Sequence, residues 1–396
     1  MITASLLLTT YTSGRISKIP LNIDTTLVFE GTATKALDPA SLSEQKFVIS
    51  ENVPVTKQQQ ISVESPANAH VVTLQVGDTL RWSHKQKDAG LLLAIVDTVT
   101  MNRHTAEAVS SDSNPGGSVQ RPQTIEDKNP PTNVALPHHG LTYRFPFNTE
   151  KKTYSMFDPV AQKAYDANFQ GTEDINGLTA YKFTQNVGFD ASGKLVEPVK
   201  YPSLYEKGED SRVTAHAGQW GIPAPDEWEE ITMDRYYAAQ RTFWVDPASG
   251  IILKETEKGS DYYARDALKP EVWYAQYSVT STEPTVESQV AAANAERNSL
   301  SLWDRILPIT FGALGLVALV GGGVLGWFGL RAHSLEAGAA GDGSSGKSAV
   351  SETAAKISAA PVVRRVLSRR PRRADTGPMP AAEAATEKMP TRPPTN

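Results

Sequence analysis

The chain has 396 residues, with 39 Lys and Arg against 44 Asp and Glu and a net charge of −5. This balance argues against a nucleic-acid binder, which normally carries a strongly basic surface. The sequence has no cysteine, so disulfide frameworks and thiolate metal sites are excluded. The length suffices for one large domain or two ordinary domains with hydrophobic cores.

Residues 1–11, MITASLLLTTY, form an apolar stretch that is too short to cross a membrane. We interpret them as the remnant of an N-terminal transmembrane helix or signal sequence whose beginning is missing from this chain. The alternative is a free amino terminus with a few chance leucines.

Residues 12–283 show the patterns of a β-rich domain. Runs rich in β-branched residues, bounded by Pro, Asn, Gly and Asp, predict strands at 47–49, 71–76 and 91–99. The pair Gly77-Asp78 reads as a turn. Residues 110–139 are rich in Ser, Asp, Asn, Pro and Gly, which indicates a long loop or an ordered insertion and a possible division into two subdomains.

The segment 140–159, GLTYRFPFNTEKKTYSMFDP, is the densest in aromatic residues. Its apolar side chains alternate with polar ones, which predicts a strand with one aromatic face. Pro146 places this strand at a sheet edge or at a strand end. The preceding pair His138-His139 has no second group at metal-ligand spacing, so we interpret it as part of a polar loop. The alternating side chains are Leu141, Tyr143, Phe145 and Phe147.

The second half of the domain predicts further strands and a hairpin. An Asn176-Gly177 turn precedes a strand at 179–187, and two strands at 241–245 and 251–257 flank a turn containing Pro and Gly. Strands are also predicted at 231–237 and 272–280. The predicted fold is therefore mainly β, with antiparallel sheets in a half-barrel or sandwich-like arrangement.

The carboxy-terminal part predicts a membrane anchor. Residues 284–302 read as a juxtamembrane helix, and 303–331 as a transmembrane helix built on the uncharged 25-residue run 306–330. The tail 332–396 holds ten Lys and Arg against six Asp and Glu and has few aromatic residues, so it should be disordered and cytoplasmic. The bulk of the protein should then lie outside the cell membrane.

Aromatic side chains of the β-rich domain are candidates for contact with a lipid or sugar, because such rings shelter acyl chains and stack on sugars. Each of them could equally belong to the sheet core. Gly322 and Gly326 are candidates for close packing against another membrane helix, although glycine is common in such helices. The aromatic candidates are Trp82, Tyr143, Phe145, Phe147, Trp220, Trp228, Tyr236 and Trp244.

A family resemblance rests on four stretches and on the single carboxy-terminal span that follows them. The stretches are KIPLNIDTTLVFEG, GLTYRFPFNTEKKTYSMFDP, GTEDINGLTAYKFTQNV and FWVDPASGIILK. In their order and spacing the chain resembles the actinobacterial porin PorA family of membrane proteins, of the polar growth factor PgfA type. The resemblance implies a periplasmic β-rich domain held by two membrane helices. It also implies work with an RND-type flippase that exports trehalose monomycolate, a glycolipid, in support of polar growth.

The resemblance supplies no binding residues, and the sequence shows no catalytic motif. We therefore expect a protein that is not an enzyme and has no cofactor, no metal and no nucleic-acid partner. Three alternatives to a glycolipid role remain open. They are a scaffold within an envelope complex, a channel-forming porin, and an envelope enzyme whose site the sequence does not reveal.

Overall fold

The structure is a computed structural model that describes residues 17–85, 87–110, 116–120, 134–201, 211–301 and 307–338. The predicted remnant at 1–11 and the tail beyond residue 338 lie outside the described residues. Contacts divide the chain into two compact units, residues 1–326 and 327–396.

In the described part of the chain, fourteen antiparallel strands form a single sheet. Their bounds are β1 Asp24–Leu37, β2 Ile49–Glu64, β3 Val71–Trp82, β4 Leu91–Asn102, β5 Gly117–Gln120, β6 Val134–Ala135, β7 Tyr154–Asp158, β8 Lys163–Ile175, β9 Leu178–Val187, β10 Val199–Lys200, β11 Arg212–His216, β12 Glu230–Val245, β13 Ile252–Ala264 and β14 Val272–Ser281. The order is β6-β5-β4-β3-β2-β1-β14-β13-β12-β9-β8-β7, with β10 and β11 beside β12.

The sheet curves into a half-barrel, and a buried cluster inside the curve joins distant strands. Val72 on β3 belongs to the same buried cluster as Phe183 on β9 and Phe243 on β12, although these strands lie far apart in the sheet order. Strands from both sides of the 110–139 segment join this sheet. The prediction of a mainly antiparallel β fold is confirmed in its half-barrel form.

Turn chemistry fixes the two hairpins that the sequence predicted. Asn176 and Gly177 both have positive φ, as a two-residue hairpin turn requires. The β12–β13 hairpin is also confirmed, and its turn ends at Gly250 with φ +78°. A Cβ at Gly250 would lie 2.1 Å from the carbonyl oxygen of Phe145, so glycine lets the 141–147 segment approach.

Two sequence predictions are wrong. Residues 141–147 form an irregular segment, because Pro146 lacks an N–H and Phe145 donates its N–H to Gly250 instead of to a strand ladder. Their alternation reflects packing into the curve of the sheet, where Leu141 and Phe145 are fully buried. Gly77-Asp78 is not a turn but the middle of β3, because both residues pair with β2 and β4.

Three α-helices accompany the sheet in the described residues: α1 Ala217–Trp220, α2 Glu283–Ser301 and α3 Leu307–Gly338. The helix predicted before the apolar segment is confirmed as α2, which buries Val286 and Val290 against the β8–β9 and β12–β13 hairpins. The apolar segment is helical in α3. Among the described residues, no helix combines the length and apolarity that a membrane crossing requires, so the predicted span is not confirmed.

Candidate functional site

A cavity of about 90 Å³ lies inside the curve of the half-barrel. Side chains of β1–β4, β7, β9 and β12–β14 line it, together with the 141–147 segment and α2. One part of the lining is apolar and includes Leu27, Phe29, Ile61, Phe243 and Ile252. Another part is polar and includes Lys57, Gln59, Asp78, Asp97, Gln185 and Arg241.

Strand alternation explains how charged side chains reach this interior. On β2, the buried positions recur every second residue and carry Val53, Val55, Lys57, Gln59 and Ile61. The inward face is therefore apolar at its two ends and polar in its middle.

The polar part contains a buried ionic network. Lys57 Nζ lies 2.6 Å from Glu257 Oε2 and 3.3 Å from Asp78 Oδ2. Arg241 donates from Nε to Glu257 Oε2 at 2.7 Å and from Nη1 to Asp158 Oδ2 at 2.5 Å. Each cation thus contacts two carboxylates, which offsets part of the cost of removing these charges from water.

Burial and neighbouring charges shift the pKa values of this network. Burial raises the pKa of Glu255 to about 7, with the carboxylate of Glu257 adding to the rise. Burial also raises the pKa of Asp78 above its usual range. Burial disfavours the ionised form of Glu257 as well, but Arg241 and Lys57 outweigh it and hold the pKa of Glu257 well below its usual range.

A second buried constellation surrounds Asp97. His138 Nε2 lies 2.9 Å from Asp97 Oδ1, and His138 Nδ1 lies 3.0 Å from the carbonyl oxygen of Leu136. Tyr143 donates its hydroxyl to Asp97 Oδ2 at 2.6 Å. His138 lies in a loop, as the sequence indicated, but its side chain is fully buried against a carboxylate.

Two polar atoms of lining residues have no hydrogen-bond partner among the residues that the structure describes. Thr142 is 4% exposed, and its Oγ1 is unpaired, as is Oδ1 of Asp78. Buried polar groups are normally paired, so such atoms are potential contacts for a ligand. Within the described ranges, no group of three or more His, Asp or Glu could hold a metal ion.

Helix α2 covers one side of the cavity. Thr285 and Gln289 line it, and Gln289 also donates to the carbonyl oxygen of Ile252 at 3.0 Å. Further along α2, Glu296 accepts two hydrogen bonds from Arg144, at 3.1 and 2.5 Å. Its neighbour Arg297 donates from Nε to the buried Asp246 at 2.8 Å. Ion pairs thus attach the carboxy-terminal half of α2 to the half-barrel.

The structure distributes the eight aromatic candidates over different surroundings. Tyr143 lines the cavity, and Phe145 and Phe147 pack in the core beside it. Trp220 lines a separate pocket of about 40 Å³, and Trp228 is 74% exposed. The remaining three, Trp82, Tyr236 and Trp244, are buried in other clusters of the sheet.

Sequence reasoning did not identify the ionic network, although a signal was present. In β12 and β13, Arg241, Glu255 and Glu257 stand at positions whose period places them on the apolar inner face. A charge at a core position of a strand is the pattern that could have revealed them. For the two glycine candidates, a Cβ built at Gly322 or Gly326 meets no atom within 4 Å.

Comparison with known proteins shows which part of the chain is similar to a known family. A family model described as Porin PorA matches residues 1–324. Porin PorA of Corynebacterium amycolatum is 28% identical over 299 residues, which cover 69% of this chain and 75% of that protein. Porin PorA of Corynebacterium resistens is 28% identical over 314 residues, which cover 67% of this chain and 75% of that protein. The family match therefore includes the whole half-barrel and α2.

Proposed function

The chain belongs to the porin PorA family, and from this premise we propose a non-catalytic role in moving a glycolipid through the cell envelope. The glycolipid is of the trehalose monomycolate type, and the partner is an RND-type lipid flippase. In this role the protein supports polar growth. The proposal draws on the sequence resemblance for the identity of lipid and partner.

The observation that carries the proposal is the mixed character of the cavity. A glycolipid has an apolar chain and a polar, hydroxyl-rich head, and the lining offers Phe29 and Ile252 beside Gln59 and Asp97. Ligand sites are typically apolar with a few placed polar groups, and this lining has that composition. A volume of about 90 Å³ receives only one end of such a lipid, so most of the ligand would extend outside.

Topology is part of the proposal. The segment 306–330 has no charged residue, and in α3 its side chains Leu314, Val317 and Leu325 are exposed. An exposed apolar helix surface favours contact with lipid or with another protein. We place 303–331 in the membrane, the half-barrel on its outer side and the basic tail in the cytoplasm.

Mass spectrometry of co-purifying lipid tests the role. The full chain would be purified from native membranes beside an unrelated single-span protein and a variant, Ile252→Trp, that fills the cavity. We expect neutral glycolipid to be enriched over the unrelated protein and reduced by Ile252→Trp, with Trp228→Phe as the matched surface control. Equal glycolipid in all four samples would contradict the proposal.

A channel is a second candidate, since the relatives carry the name Porin PorA. Purified chain in a planar bilayer decides it. Stepwise conductance would favour the channel if a half-barrel variant such as Lys57→Met alters it. If the conductance does not exceed that of the lipid alone, the channel is excluded.

A scaffold is a third candidate, favoured by the open space around Gly322 and Gly326. Small residues let a second helix approach closely. Under this candidate, Gly322→Leu with Gly326→Leu abolishes retention of the flippase in a pull-down, whereas no glycolipid co-purifies with either form. Retention by the double variant would exclude these glycines as the contact.

A further inference from the structure

We infer that a second cavity of the half-barrel docks a segment of a partner protein in which Lys or Arg flanks one apolar side chain. The cavity measures about 40 Å³ and lies where β1 and β13 end and β14 begins. Helix α2 packs at the other end of β13, against the β12–β13 hairpin. The two cavities share no lining residue, so the inference does not depend on what the first one binds.

The lining of the second cavity is apolar. Of the nine described residues that line it, five are aromatic and four are aliphatic, so none of them brings a charge. The ring centres of Phe47 and Tyr263 lie 5.1 and 5.2 Å from that of Trp220. Trp220 donates its indole N–H to the carbonyl oxygen of Ile231 at 2.9 Å, which leaves its rings to face an apolar group. Leu42 lines the cavity and is 47% exposed, so the cavity opens to the surface.

The volume indicates the class of occupant. A buried water needs about 15 Å³ of such space, so a cavity of about 40 Å³ has room for two or three waters. One branched side chain such as leucine or isoleucine is of this size. The acyl chain of a lipid would leave most of its length outside, so a protein side chain fits this cavity better than a lipid does.

An exposed tryptophan lies close to the cavity and is held ready for a partner. The side chain of Trp228 is largely exposed, with 74% of the residue accessible. Its main chain is fixed on both sides, because its N–H donates to Asp226 Oδ1 at 3.0 Å and its carbonyl oxygen lies 2.9 Å from His216 Nδ1. A tryptophan that is already positioned loses little entropy on binding, and tryptophan often carries much of the binding energy of an interface.

Main-chain hydrogen bonds connect this tryptophan segment to the cavity. Ala217 and Gly218 of α1 donate their N–H groups to the carbonyl oxygens of Glu229 and Glu227, at 2.8 and 2.9 Å. The same short helix ends at Trp220, which lines the cavity. One partner segment could therefore contact both the cavity and the exposed ring.

The charges around Trp228 indicate that the partner is basic. Four exposed carboxylates flank it, and no Lys or Arg among the described residues forms an ion pair with them. The exposed Lys46 lies beside Gly221 at the end of α1, where the exposed Glu44 offsets its charge. Complementary charge favours association with a basic segment and disfavours an acidic one. The cavity locates the site, and the carboxylates set only the sign of the partner's charge. They are Asp226, Glu227, Glu229 and Glu230.

The test compares three synthetic peptides labelled with fluorescein. The first has one leucine between two pairs of lysines, the second has alanine in place of leucine, and the third has glutamates in place of the lysines. Each would be titrated into the full chain in nanodiscs of zwitterionic lipid and followed by fluorescence anisotropy, with empty nanodiscs subtracted. We expect the first peptide to bind about 5-fold more tightly than the second and about 10-fold more tightly than the third.

Two results with these peptides would overturn the inference. Equal binding of the leucine and alanine peptides would mean that the cavity receives no side chain and that surface charge alone attracts the peptide. Absence of measurable binding of the first peptide would mean that this surface docks no basic segment.

Single substitutions locate the contact. Trp228→Ala should weaken binding of the first peptide about 10-fold, and Leu42→Ser about 3-fold. Both residues are exposed, so neither change should unfold the chain. The control is Leu21→Ala, at an exposed leucine before β1, which should bind as the parent does. Binding that survives both Trp228→Ala and Leu42→Ser unchanged would place the peptide elsewhere and overturn the inference.

A double substitution tests the role of the charges. Glu227→Lys with Glu229→Lys leaves two carboxylates balanced by two lysines, and should remove the preference for the lysine peptide over the glutamate peptide. The matched control, Glu30→Lys with Glu64→Lys, changes two exposed glutamates of β1 and β2 and should keep the preference. An equal effect of both pairs would show that only the overall charge of the protein matters, which would contradict a basic partner at this site.

Discussion

The interior of the half-barrel has an apolar region and an ionic region that adjoin each other on the same strands. In the apolar region, Phe145 lies 4.7 Å from Phe183 and 6.2 Å from Phe243 between ring centres. Two residues before Phe243 on β12, Arg241 begins the ionic region. In the apolar region, a substitution lowers stability in proportion to the buried side-chain volume that it removes. In the ionic region, removal of one ion leaves its partners buried and unpaired.

The difference explains where a ligand can act. Apolar contacts stabilise the curve of the sheet without distinguishing between ligands of similar size. Under the proposed function, the ionic region would distinguish between ligands by their charge, because its donors and acceptors are fixed by their neighbours. Stability should therefore depend on both regions, and ligand selectivity on the ionic one.

The largest effect is expected at Arg241. Arg241→Met leaves Glu257 and Asp158 buried without this partner, and should lower the free energy of unfolding by about 3 to 5 kcal/mol. Urea unfolding of the purified chain in mild detergent measures it. The control is Arg265→Met, which breaks a largely exposed pair with Glu271 and should cost about 1 kcal/mol or less. Equal losses at both sites would contradict the distinction between buried and surface pairs.

Next is the pH dependence contributed by Glu255. Its pKa rises from 4.5 to about 7 in the folded state, so between these values the folded chain binds more protons than the unfolded chain. Stability from this group is therefore present at low pH and is lost as the pH rises through 7. Glu255→Gln should become more stable relative to the parent between pH 5 and pH 8, by up to about 3 kcal/mol.

Urea titrations at four pH values check this trend, with the surface change Glu227→Gln as control. A stability gap between Glu255→Gln and the parent that does not change with pH would show that Glu255 is not buried in the folded protein.

A smaller effect is expected in the apolar region. Phe183→Leu keeps an apolar group but opens space beside Phe145, and should cost about 1 to 2 kcal/mol at every pH. Phe169→Leu, at a half-buried neighbour, should cost less. A strong pH dependence for Phe183→Leu would mean that the two regions are energetically coupled.

The smallest effect is expected at the exposed Trp228. Trp228→Ala should change the free energy of unfolding by less than about 0.5 kcal/mol and leave glycolipid co-purification unchanged. Loss of co-purifying glycolipid in this variant would move the lipid contact away from the cavity to the surface.

Much of the sheet was predictable, because its information is local. The Asn176-Gly177 turn and the β12–β13 hairpin follow from turn residues between alternating strands. The 141–147 segment has the same alternation without forming a strand, because Pro146 lacks an N–H and Phe145 donates its N–H to Gly250 outside any strand ladder. The alternation of apolar and polar residues indicates which side chains are buried, but it does not show which segment the main chain pairs with.

The candidate site was less predictable for a related reason. Lys57, Arg241 and Glu257 come from strands up to 200 residues apart, and only the curved sheet brings them together. Single aromatic residues did not identify the cavity, because residues such as Trp82 and Tyr236 pack in other hydrophobic clusters. Tyr143 reached the cavity through the irregular segment rather than through the strand expected there.

Site-specific photocrosslinking tests the central claim most directly. A photoreactive amino acid at position 27, inside the cavity, is compared with one at position 228, on the exposed surface, in cells fed a labelled glycolipid. We predict labelled protein for position 27 and none above background for position 228. Labelling at 228 but not at 27 would contradict a glycolipid site within the half-barrel.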